Sequence, residues 1–116
     1  MNTFGYHLSR MEIKLLAAEI KQHLNNHLDG IVSDVIIFGS RAWGKAGKDS
    51  DYDAIIVLTA EYTRKVQKQI NDLCYDLDLK YDIFLDTQII SEYELKNGIR
   101  GKHPLFKTAI KKGIHA

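Results

Sequence analysis

GSRAWGKAGKDSDYD, residues 39–53, is the stretch whose reading decides this chain. It opens on Gly39-Ser40, runs through ten residues and closes on Asp51-Tyr52-Asp53. The β-branched, mostly apolar run 31–38 leads into Gly39, and a second apolar run, 53–58, leaves from Asp53. The stretch therefore joins two buried strands. On an extended backbone Asp51 and Asp53 point the same way and Tyr52 the other. Two carboxylates this close repel each other and raise one pKa when left alone, so the pair makes electrostatic sense with cations present. Gly39 lets the backbone come close to a phosphate. Ser40 offers a hydroxyl and an amide at the start of a following short helix, where anions are favoured.

That combination suits a metal-held triphosphate. In nucleotidyl transfer an acceptor attacks the α-phosphorus and pyrophosphate leaves, so both oxygens carry charge that needs stabilising. Two divalent ions about 3.5–4 Å apart do this, and magnesium prefers carboxylate, phosphate and water oxygens. Arg41 pairs either with phosphate oxygens or with a neighbouring carboxylate, and Trp43 either stacks on a base or anchors the loop. An Asp-x-Asp pair by itself also fits calcium binding or plain solvation. The order of features narrows the choice: apolar strand, Gly-Ser, ten residues, Asp-x-Asp, apolar strand, and later an acid inside another apolar run.

Outward from the stretch, Leu8, Met11, Leu15, Leu16, Ile20, Leu24 and Leu28 recur at three- and four-residue steps and predict an amphipathic helix. Ser9 and Glu12 have the spacing of a capping box at its start, and Asp29-Gly30 ends it. Thr59 and Glu61 predict the start of a second helix with Tyr62, Val66, Ile70, Leu73 and Leu77 on its buried side. Residues 80–85 (KYDIFL) read as a third strand in which Asp82 and Phe84 share a face, and the chain from Thr87 reads as mostly helical. Pro104 fits the first turn of a last helix carrying Leu105, Phe106 and Ile110. Helices and strands alternate with short connections, which predicts a single α/β domain over residues 1–116, with no internal repeat.

Composition excludes several classes. The apolar runs are far shorter than the roughly 20 residues of a membrane span, and the N-terminus lacks the blocks of a secretory signal, so a cytoplasmic protein is expected. A net charge of +1 argues against binding nucleic acid by charge alone. Lys96, Arg100, Lys102, Lys107, Lys111 and Lys112 make the C-terminal part basic, as a solvated face or as a contact for phosphates or an acidic partner. The lone Cys74 reads as a packed thiol, and His23 and His27, four apart, as a solvated helix pair rather than metal ligands.

The chain resembles the minimal nucleotidyltransferase group of the DNA polymerase beta-like superfamily, whose signature G-S-x10-D-x-D it matches without a gap. The resemblance covers most of the chain, and only the Gly-Ser and aspartate positions are sharply diagnostic. It implies a single-domain nucleotidyltransferase fold, a small mixed sheet flanked by helices. It also implies Mg2+ (two ions) held by Asp51, Asp53 and a third carboxylate that helps deprotonate the acceptor. Asp82 is the expected third ligand, with Asp86, on the same face by period-two counting, as the second candidate. Gly39, Ser40, Arg41 and Ser50 are the expected residues for the triphosphate, with ATP as substrate. Family members often close with Glu-Gly where this chain has Lys112-Gly113, and Ala54 replaces a commonly larger aliphatic residue. Stand-alone members of this size are similar to the antitoxin partners of HEPN-domain ribonuclease toxins, which implies transfer of AMP to a partner protein, commonly to a tyrosine. A contact-only antitoxin, or transfer to a small molecule or RNA, are the other readings.

Overall fold

The structure is a computed structural model and describes residues 8–39 and 51–116. Helix α1, Arg10–His27, starts at the expected capping box: Ser9 Oγ accepts from the Glu12 amide, and Glu12 Oε1 accepts from the Ser9 amide, each at 3.1 Å. Its buried line is Ile13, Leu16, Ala17, Ile20 and Leu24. Met11 and Leu15, expected on that line, are 65% and 61% exposed. At about 100° per residue they fall on the opposite side of the helix from Ile13 and Ala17, and packing against the sheet selects the latter set. After left-handed Asp29 and Gly30 (φ 55° and 75°), Asn25 ties helix to strand by accepting from the Val32 amide at 2.8 Å and donating to its carbonyl at 3.0 Å.

Strands β1, Val32–Phe38, and β2, Tyr52–Leu58, pair antiparallel with Ile36 opposite Ile55 and Phe38 opposite Asp53. Helix α2, Arg64–Tyr81, is capped by Thr63 rather than by the expected Thr59. Thr59 instead donates its amide to the Ile31 carbonyl at 2.9 Å and closes the strand pair. Strand β3, Leu85–Ser91, runs parallel to β2. It is followed by α3, Glu92–Asn97, a 3-10 turn over Arg100–Lys102, and α4, Pro104–Lys112, with Pro104 in its first turn as expected. Ile114–His115 forms β4, antiparallel to β1, and the sheet order is β3-β2-β1-β4.

The third strand departs from expectation. Ile70, Cys74 and Leu77 carry the buried line of α2 onward to Tyr81, so residues 80–84 end a helix and turn instead of forming a strand. The strand begins at Leu85 and takes in Thr87–Ser91, expected to be helical. It lies at the sheet edge, where Asp86 and Gln88 reach solvent, so it lacks the continuous apolar character of a central strand.

Period-two alternation sorts the sheet residues onto two faces. Val35, Ile37, Ala54, Ile56, Leu58, Leu85 and Ile89 join α1 and α2 in the larger core. Ile36, Ile55, Val57 and Ile90 meet Phe106 and Ala109 of α4 in a smaller one, flanked by Phe38 and Leu95. Each large side chain fully buried in this way contributes on the order of 2 kcal/mol. Among the described residues, no helix is long and apolar enough to cross a membrane.

His115 fastens β4. Its Nδ1 lies 2.6 Å from Asp34 Oδ2 on β1 and its Nε2 2.8 Å from the Ile110 carbonyl on α4. Both partners are acceptors, and only the imidazolium donates from both nitrogens at once. Burial pulls the His115 pKa down, but the bonds to Asp34 and Ile110 outweigh it and the net shift is upward from 6.5. A raised histidine stabilises the fold fully below 6.5 and loses that contribution as pH climbs through the folded-state value. Thermal melts from pH 5.5 upward should therefore show wild-type stability falling toward that of His115→Gln, whose own profile lacks this step.

Candidate active site

One end of the sheet collects the carboxylates. β1 ends where β2 and β3 begin, with Phe38 opposite Asp53 and Asp53 opposite Asp86. By alternation Asp51 and Asp53 share the face of Ile55 and Val57, and Asp86 that of Ile90, all on the side of the smaller core. Tyr52 points into the larger core and is 1% exposed. Asp51, Asp53 and Asp86 thus line the rim of one face. Burial raises the Asp53 pKa, and the charges of Asp86 and Asp51 raise it further.

Gly39 closes onto the same group. Its φ is +85°, and a Cβ there would lie 2.5 Å from Asp53 Oδ2. The position accepts a residue without a side chain for two reasons, the left-handed backbone and the carboxylate beside it.

Asp82, expected as the third ligand on a strand, is instead the C-cap of α2 in the left-handed region (φ 53°, ψ 50°), with its amide bonded to the Asp78 carbonyl. The helix runs past the expected strand start, so the backbone of Asp82 ends a helix, where an aspartate tolerates φ > 0, and does not stand on a strand. Asp86, the second candidate, takes the place opposite Asp53. Ser40, Arg41 and Ser50, together with Trp43 and the short helix expected after Ser40, lie outside the described residues.

Asp78 is a residue that sequence reasoning passed over. Its Oδ1 accepts from the Leu85 amide at 3.0 Å. Burial raises its pKa, the Leu85 bond lowers it, and Asp51 raises it, with a net upward shift. In sequence it is one more polar position on a helix, and its spacing carries no signal. Cys74 is buried, and burial first, then Asp78 and Asp76, push its thiol up to about 12, so it stays protonated as a packed side chain. His23 faces Asp76 at 3.2 Å and His27 faces the His23 carbonyl at 3.0 Å, local contacts of a helix surface.

Among the described residues, no three His, Cys, Asp or Glu side chains close into a ready metal-binding set. The donors at the rim are nonetheless oxygen only. Burial is the first cause of the raised Asp53 pKa, and the charges of Asp86 and Asp51, the second, are what a hard divalent cation would relieve. Carboxylate oxygens are the donor type such an ion, Mg2+ among them, prefers, with phosphate and water left to complete its shell.

A profile of the nucleotidyltransferase domain matches residues 14–112. The chain belongs to the nucleotidyltransferase domain family. A relative from Methanocaldococcus jannaschii, named "Putative protein adenylyltransferase", is 33% identical to this nucleotidyltransferase over 79 residues, which cover 68% of this chain and 80% of the relative. A crystal structure from Sulfolobus solfataricus, described as a "putative nucleotidyltransferase", superposes with a TM-score of 0.51 at 23% identity, covering 75% of this chain and 74% of the other. The likeness is one of fold, and this chain's own fold is an α/β domain with a four-stranded mixed sheet.

Proposed function

We propose that this nucleotidyltransferase moves AMP from ATP to a hydroxyl of a partner protein, a HEPN-domain ribonuclease toxin that it silences. The observation that carries the reading is the register placing Asp86 directly opposite Asp53, with Asp51 one alternation away and Gly39 against Asp53. The acceptor oxygen bonds to the α-phosphorus, the bond from that phosphorus to the β-phosphate bridge breaks, and pyrophosphate leaves. Asp86 orients the acceptor hydroxyl and takes its proton. Gly39 brings the backbone to the triphosphate, with Ser40, Arg41 and Ser50 as its further contacts. Bound at Asp51, Asp53 and Asp86, Mg2+ would neutralise the charge on the attacking and leaving oxygens. The name of the Methanocaldococcus relative supports a protein acceptor. The family resemblance supports the HEPN partner and a tyrosine as the acceptor.

The test is label transfer from ATP carrying radioactive α-phosphate to a purified HEPN-domain ribonuclease, with Mg2+. The wild type should label the partner. Asp51→Ala combined with Asp53→Ala should label it on the order of a thousandfold more slowly. Transfer that persists in the double variant would sink the roles assigned to the aspartates. Neutralisation of the toxin by that variant at wild-type potency would replace chemistry by contact.

A further inference from the structure

We propose that Asp78 is a positioning residue of this active site: by holding the first amide of β3 it sets the strand entry that places Asp86 opposite Asp53. The role rests on the reading of Asp86 given above. Asp78 gathers the whole turn between α2 and β3. Its carbonyl accepts from the amides of Asp82 and, at 3.1 Å, Ile83, and its carboxylate accepts from the amide of Leu85 at 3.0 Å. One residue thus meets three of the four donors from 82 to 85, and the left-handed backbone of Asp82 lets the chain reverse around it.

The held amide lies one residue before Asp86. On the other side of the same junction, the Tyr52 amide donates to the Phe84 carbonyl at 2.9 Å, and Tyr52 sits between Asp51 and Asp53. The entry of β3 is therefore pinned from α2 by Asp78 and from β2 by Tyr52, and these two bonds flank the acidic rim. Leu85 itself is buried in the larger core, so a shift of its amide would also move a packed side chain. A carboxylate here is electrostatically costly, because Asp78 is partly buried and repelled by Asp51. A charge-assisted acceptor holds an amide about twice as strongly as a neutral one, which accounts for an aspartate in spite of that repulsion. Side chains that orient metal ligands typically affect affinity by about 10–100-fold.

The experiment measures Mn2+ affinity and amide exchange at Leu85 in the full chain, comparing wild type, Asp78→Ala and Asp78→Asn. Asp78→Ala should speed exchange at Leu85 and weaken Mn2+ binding by about tenfold or more. Asp78→Asn, which keeps an acceptor oxygen but not the charge, should recover part of both and fall between wild type and Asp78→Ala. Should Asp78→Ala fail to fold, Asp78→Ser, whose hydroxyl is too short to reach Leu85, replaces it under the same criteria. Wild-type Mn2+ affinity in the variant lacking the acceptor, or equal defects in that variant and Asp78→Asn, overturns the positioning role. A wild-type protein that binds no Mn2+ overturns the reading of the site itself and the role with it, a result distinguishable because it appears before any substitution at position 78.

Discussion

Asp53→Asn is expected to abolish nucleotide transfer and, without divalent cation, to raise the melting temperature. Asparagine keeps the shape of the side chain and removes a charge that burial and the neighbouring Asp86 and Asp51 disfavour. A carboxylate whose folded-state pKa is raised opposes folding when ionised. That opposition is in force at neutral pH and is relieved as pH falls through the raised value toward 3.8. The gain of Asp53→Asn over wild type should therefore shrink on acidification. Added Mg2+ should raise the wild-type melting temperature and shift the variant clearly less, since one of the three carboxylates that would attract the ion is gone. Asp86→Asn should lower the transfer rate by at least about a hundredfold. Asp82→Asn should stay close to wild type, because asparagine suits a left-handed helix cap as well as aspartate does. Equal losses at positions 82 and 86 would reject the assignment of Asp86.

Gly39→Ala should be the most damaging single methyl group in the described part of the site. Left-handed backbone costs a residue bearing a Cβ about 1–2 kcal/mol. The added carbon would also lie 2.5 Å from Asp53 Oδ2, so either the turn or the carboxylate must move. The expected outcome is a melting temperature lower by several degrees and transfer reduced by about tenfold or more. Gly30→Ala separates the two causes. Gly30 has φ +75° but nothing within 4 Å of its Cβ position, so its alanine variant should lose stability and retain activity. If both variants transfer nucleotide at the wild-type rate, the contact of Gly39 with Asp53 has no part in the chemistry.

Local rules account for what was legible in advance. The Ser9–Glu12 box, the apolar runs of β1 and β2 and the start of α4 at Pro104 depend on neighbours a few residues apart, and each stands where expected. The same-side placement of Asp51 and Asp53 follows from alternation along a single strand. Where two local patterns competed, reading them from sequence failed. Met11 and Leu15 formed as good a stripe as Ile13 and Ala17, and the sheet chose between them. KYDIFL carried strand-like residues, while the helical line of Ile70, Cys74 and Leu77 ran on into it and the helix prevailed. β4, two residues long, is held by pairing with β1 and by His115, contacts that reach across most of the chain.

Sequence alone determined that this protein carries Gly-Ser and Asp-x-Asp between two buried strands, because turn chemistry and period-two alternation act within a few residues. Tertiary structure alone decided which acid stands opposite Asp53. That choice follows where α2 stops and how β3 enters the sheet, with Asp78 bonding the amides of the turn and the Tyr52 amide reaching the Phe84 carbonyl from the neighbouring strand, a pairing 32 residues apart that no local pattern encodes.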